Sequence, residues 1–153
     1  MVKLLLSLSG LVVCVFFGIK ISSKYKKEKE TIQYIINFNK NLIINLEYKK
    51  ENLITFITNY DKTNEILNCY LKQIKKNKIS FNFIKNQNIK SVLENYFLLL
   101  GKSDSLSQIE YLKSYEKTFD NLLADYKKTN ENKIILYPKL GVFGGLILFV
   151  LLI

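Results

Sequence analysis

Few residues in this chain could do chemistry, and their types and spacing argue against most of it. Cys14 and Cys69 are the two cysteines, far apart, offering neither a disulfide framework nor a zinc-ligand spacing. The sequence has no His, hence no imidazole metal site, no Ser-His or Cys-His pair and no physiological-pH switch. Gly101-Lys102-Ser103 ends like a phosphate-binding loop, but Tyr96 stands where that loop needs its first Gly. A helical rather than a strand pattern precedes it, so the match is spurious. Glu116 and Asp120 share a helix face at i, i+4, where paired carboxylates are usually solvated. No Arg, His or near Cys completes a catalytic set around them. The expectation is a protein that is not an enzyme, with no catalytic, cofactor-binding or metal residues and no small-molecule substrate.

What positions these residues is read from where the charge lies. Lysines number 23 against 13 acids, a formal charge of +10, and no Arg is present. With 16 Asn and a single Ala, Ala124, this bias looks like an A/T-rich genome, so part of the basicity is codon drift. Residues 4–19 and 140–153 carry no charged side chain; residues 20–139 hold all the acids and every lysine but Lys3. The mean hydropathy of +0.05 therefore averages two apolar ends and a polar middle. That is the distribution of a membrane protein.

The first apolar run covers roughly 24 Å as helix, a little short of a ~30 Å hydrocarbon core. Snorkelling of Lys3 and Lys20 extends it to about residues 1–22. A cleavable signal peptide would need a small neutral cleavage site, and Lys20 stands there instead. A lipoprotein reading of Cys14 fails because bulky Val13 precedes it and the apolar run continues. At the other end, Tyr137 suits the headgroup level and Lys139 can snorkel, so residues 137–153 form a second span. Lys20, Lys24, Lys26, Lys27 and Lys29 follow the first span, and Lys127, Lys128, Lys133 and Lys139 flank the second. By the positive-inside rule both sets place a central domain, residues 23–136, in the cytoplasm. A reduced Cys69 is consistent with that compartment. Small residues recur along both spans: Gly10, Cys14 and Gly18, with Ser7 a turn earlier, and Gly141 with Gly145 beside Gly144. Such stripes let helix backbones approach closely in lipid, so the spans are expected to pack on each other or on another membrane protein.

Between the spans the periodicity is helical throughout, giving an all-α expectation of two transmembrane helices flanking a cytoplasmic helical bundle. Ile32, Ile35, Ile36, Leu42, Ile43 and Leu46 share one face, and Leu53, Ile54, Phe56, Ile57 and Tyr60 continue it. A turn is expected near Asn59–Asn64. A helix from Ile66 should end around Asn77, and Phe81, Phe83 and Ile84 should open a further segment. Val92, Leu93, Tyr96, Phe97 and Leu100 then form a strong face before Gly101. Gly101 fits a helix stop and Ser103 or Asp104 the next N-cap. The last helix, with Ile109, Leu112, Phe119, Leu123 and Tyr126 near a and d spacing, should run unbroken to Pro138, with a kink there. Residues 66–93 carry Lys72, Lys75, Lys76, Lys78, Lys85 and Lys90 with no acid. A solvated face is the favoured reading, ahead of an anionic membrane or partner surface. Nearby aromatics fall on core-facing positions, so no nucleic-acid partner is expected.

Two segments carry a family resemblance. Leu100-Gly101-Lys102-Ser103-Asp104-Ser105-Leu106-Ser107-Gln108 resembles the L-G-x-x-D-x-x-x-Q turn of the stage III sporulation protein AB family, small two-span membrane proteins of endospore-forming bacteria. Leu136-Tyr137-Pro138-Lys139-Leu140-Gly141-Val142-Phe143-Gly144-Gly145-Leu146 is similar to that family's L-Y-x-x-L-G-V-x-G-G-L. The opening, with Lys3, Gly18 and the basic Tyr25-Lys26-Lys27-Glu28 exit, is similar too, extending the resemblance end to end. The chain departs from the pattern in a shorter centre, in lacking a proline turn near Lys49–Leu53, and in carrying Pro138. The resemblance implies a non-enzymatic scaffold of the mother cell–forespore channel, in the mother-cell membrane facing the forespore. It is similar to the inner-membrane platform of type II secretion and type IV pilus machines. The implied partners are a secretion-type ATPase, stage III sporulation protein AA, and other channel membrane proteins. The long last helix would couple the cytoplasmic domain to the second span, with Asp104 and Gln108 fixing its entry. Competing readings are a holin-like element or a membrane-tethered adaptor unrelated to sporulation.

Overall fold

The computed structural model describes residues 2–61, 63–74 and 79–152, with side chains described between Ser7 and Leu151. Among the described residues the chain is all helical: α1 (Val2–Ile44), a π-helical turn (Asn45–Lys49), α2 (Leu53–Tyr60), α3 (Glu65–Gln73), α4 (Gln87–Leu99) and α5 (Ser105–Leu152). They form two compact units, one of Met1–Thr31 with Leu123–Ile153 and one of Ile32–Leu122, so α1 and α5 contribute residues to both.

In the 32–122 unit, helix ends are set by asparagine. Asn52, Asn64 and Asn86 cap α2, α3 and α4, each side-chain oxygen accepting backbone N–H groups of the first turn. The exit from α1 is a wider turn. The Lys50 N–H donates to Asn45 O at 2.7 Å, and Lys50 takes φ +55° to reverse the chain. The Asn45 amide holds the following backbone by donating to Glu51 O at 3.2 Å. The core is aromatic: Phe38, Tyr70, Phe81, Tyr96, Phe97 and Phe119 are all fully buried. Phe97 is its hub, with ring centroids 4.8 Å from Tyr70, 5.0 Å from Tyr96 and 5.4 Å from Phe81. Each such side chain contributes about 1.5–3 kcal/mol of burial, and tilted or edge-on ring pairs add to it. One polar node crosses the core. Asn39 donates to Leu112 O at 3.0 Å and accepts from the Tyr96 hydroxyl at 2.9 Å, tying α1, α4 and α5 together. Burial pushes the Tyr96 hydroxyl well above its ordinary range, so it stays a donor.

Helix α3 is described from Glu65 to Gln73, and the expected end around Asn77, with Lys75, Lys76 and Lys78, lies outside the described residues. Several expectations need correction. Phe81, Phe83 and Ile84 are not helical. They form a turn fixed by Gln73, whose amide pairs with both the N–H and the C=O of Ser80, and by Glu94, which accepts from the Phe81 N–H at 2.9 Å. Phe38 belongs to the core face of α1, and Leu122 is buried on α5 where Leu123 is half-buried. The last helix and the second span are one element: α5 runs through Pro138 to Leu152.

Candidate functional site

In the other unit, α1 up to Thr31 and α5 from Leu123 lie against each other, and glycines set how closely. A Cβ added at Gly18 would meet Tyr137 O at 2.6 Å and Gly141 Cα at 3.1 Å; one at Gly141 would meet Cys14 O at 2.8 Å and Gly18 Cα at 3.2 Å. At Gly145 it would meet the Leu11 backbone at 3.1 Å. Gly18, Gly141 and Gly145, with the carbonyl of half-buried Cys14, are thus brought together backbone to backbone. Gly10 and Gly144 are not: a Cβ there meets nothing within 4 Å. Ser7 is fully buried. The outward faces stay apolar and open, with Phe16, Phe17, Phe143, Ile147, Val150 and Leu151 between 57 and 74% exposed. Both helices are long and apolar enough to cross a membrane. Such bare apolar faces are unfavourable in water and natural in lipid.

The same pairing explains Pro138. Proline has no N–H, so the carbonyl one turn back, Ile134 O, loses its helical partner, and the ring pushes that carbonyl aside. Ser22 Oγ donates to Ile134 O at 2.6 Å from α1, replacing the missing bond. In an apolar surrounding, a serine on a neighbouring helix is the remedy that lets a proline stay within a helix. Ser22 is buried, as that role requires.

Beyond the apolar stretch, polar pairs join the two helices. Tyr126 donates from its hydroxyl to Tyr25 O at 3.1 Å and to Glu28 at 2.9 Å; Lys29 donates to Glu131 at 2.6 Å. The Lys29 ammonium holds the Glu131 carboxyl below the usual carboxylate range. Tyr25 and Tyr137 stack with ring centroids 5.8 Å apart and planes 6° from parallel.

The motif turn in the 32–122 unit is closed by its own residues. Gly101 takes φ +77°, which favours glycine, after α4 ends at Leu99. Asp104 is the N-cap of α5, accepting from the Ser107 N–H at 3.2 Å. Hydrogen bonds from Ser107 hold the Asp104 carboxyl below its ordinary range. Gln108, buried, reaches back to accept from the Gly101 N–H at 2.8 Å and from the Ser103 hydroxyl at 3.3 Å. Its Nε2 has no partner among the described residues. Beside the turn lies an open apolar cleft of about 280 Å³, lined among others by Leu53, Ile54, Tyr70, Phe97, Leu98 and Lys102. Burial pushes the Tyr70 phenol up to about 12, and its hydroxyl donates to Leu100 O at 3.1 Å. Leu99, Ile54 and Leu106 stand exposed around this region.

The remaining sequence candidates are dispersed. Lys72 and Lys85 are exposed, while Lys90 lies 3.8 Å from Glu94. Cys69 is a half-buried thiol whose pKa is raised by burial. Among the described residues no cluster of three His, Cys, Asp or Glu could hold a metal ion. What residue types did not single out were Ser22, Asn39 and the capping asparagines. A proline four residues after Ile134 is the signal that could have pointed to a compensating donor.

The fold and these contacts define a class: an all-helical protein with two helices of membrane-crossing length, paired through glycine, and an aromatic-cored helical unit. The sequence pattern described as stage III sporulation protein AB (spore_III_AB) matches residues 76–153, just over half of the chain. The chain belongs to that family, which gives it a sporulation-related role. The match covers α4, the motif turn and α5; residues 1–75, where the resemblance also extended, lie outside it. No curated protein and no solved structure matches the chain significantly.

Proposed function

We propose that the chain is a non-enzymatic membrane scaffold of the mother cell–forespore channel. Residues 1–22 and 137–153 span the mother-cell membrane, and residues 23–136 lie in the cytoplasm, where they dock the secretion-type ATPase stage III sporulation protein AA. Family membership is the observation that carries this reading. Three features support it: apolar faces left open on both long helices, lysines crowding the inner ends of both spans, and the apolar cleft beside the motif turn. Leu106, 74% exposed in the first turn of α5, belongs to the docking surface in this reading. In this reading Gly101, Asp104 and Gln108 build the turn that presents that surface.

The test is co-flotation of the ATPase with vesicles carrying the full chain. Binding should fall at least tenfold for Leu106→Asp, with helix content and thermal unfolding unchanged. Undiminished binding would exclude this surface, and a deletion strain forming normal heat-resistant spores would refute the channel assignment.

A further inference from the structure

The lysines at the inner ends of the two apolar segments do more than bias orientation. Lys20, Lys24, Lys26, Lys27 and Lys29 on α1 and Lys127, Lys128, Lys133 and Lys139 on α5 share this region with four acids: Glu28, Glu30, Asp125 and Glu131. Three of those acids are engaged, Glu28 by the Tyr126 hydroxyl, Glu131 by Lys29 and Glu30 by Lys26. Among the described residues no carboxylate lies within ion-pair distance of Lys24 or Lys133. Yet both ammonium groups converge on one ring. Lys24 Nζ is 5.9 Å and Lys133 Nζ 5.4 Å from the Tyr25 centroid, and Lys133 is further pinned by donating to Asn130 Oδ1 at 2.9 Å. The ring face attracts each ammonium, but no carboxylate among the described residues pairs with either. Tyr25 and Tyr137 stack beside it, and neither phenol hydroxyl has a hydrogen-bond partner among the described residues. On the apolar side, exposed Phe17 and Ile21 of α1 and Leu136 and Leu140 of α5 continue away from this cluster.

We infer that Lys24, Lys133, Tyr25 and Tyr137 bind the phosphate of an anionic phospholipid. Two ammonium groups and two phenol hydroxyls suit its charged oxygens, and the acyl chains lie along the exposed apolar residues. A free phosphate would gain nothing from that apolar continuation. The inference rests on the reading that α1 and α5 cross the membrane.

The probe is spin-labelled phosphatidylglycerol against spin-labelled phosphatidylcholine, with the full chain reconstituted in phosphatidylcholine bilayers. Wild-type protein should prefer phosphatidylglycerol by roughly fivefold per engaged lysine, the effect expected of a cation at an anionic surface. Lys24→Gln with Lys133→Gln should abolish the preference, while Lys27→Gln with Lys128→Gln, an equal loss of charge, should retain most of it. Absence of a preference in the wild type, or equal loss in both double variants, overturns the inference. Protein that fails to float with phosphatidylcholine vesicles at all would instead overturn the spanning reading.

Discussion

The two compact units hold together by opposite means. The 32–122 unit fills its interior with large rings around Phe97 and threads a few hydrogen-bonded polar groups among them, Asn39 with Tyr96 chief among these. The pair of long helices removes side chains where they meet, so that Gly18, Gly141 and Gly145 place backbone against backbone. Water explains the first choice, because burying aromatic surface is what drives folding there. The second is the packing that suits a lipid surrounding, where apolar side chains gain nothing by leaving it and close packing with hydrogen bonds must suffice. Stability in one unit therefore depends on bulk, and in the other on its absence.

Substitutions that exchange the two logics should break this contrast. Phe97→Ala should have the largest effect, costing the 32–122 unit about 3–5 kcal/mol in chemical denaturation. Next, Gly141→Leu should cost the helix pair about 1–3 kcal/mol by overpacking, read as a lower thermal unfolding midpoint of the full chain in detergent micelles. Gly144→Leu, on the open face, should leave that midpoint unchanged; equal loss would show that the glycine contacts do not set the pairing. Ser22→Ala should cost about 1–2 kcal/mol by leaving Ile134 O unpaired, and close to nothing in a Pro138→Ala background where residue 138 regains its N–H. An additive cycle would remove the link between Ser22 and the proline.

The smallest effect concerns pH. The Glu131 carboxyl is held below its unfolded range by Lys29, so its contribution is present above the usual glutamate range and lost as pH falls through the lowered folded value. Wild-type thermal stability should decline over that acidic window slightly more than that of Glu131→Gln.

Much of this was legible in the residues, and the gaps have physical causes. Charge-free ends and 3.6-residue periodicity gave two long apolar helices and an all-α middle, because both are properties of single segments. Gly101 and Asp104 announced their turn by type alone. Which glycines face each other was not legible: Gly10 and Gly141 look alike in sequence, and only the rotation of one helix against another separates them. Pro138 read as a kink because the rule for proline is local, while its compensation by Ser22 comes from a distant segment. Asparagines looked like compositional drift, yet Asn52, Asn64 and Asn86 cap helices and Asn39 joins three of them.

The central claim is that the helical unit is held on the cytoplasmic side of a membrane crossed twice. Cysteine placed at the exposed Lys40 in a Cys14→Ser, Cys69→Ser background tests it by labelling whole non-sporulating cells that express the chain with a membrane-impermeant maleimide. The expected result is no labelling until the cells are opened and full labelling afterwards; labelling of intact cells would contradict the topology and the ATPase docking that depends on it.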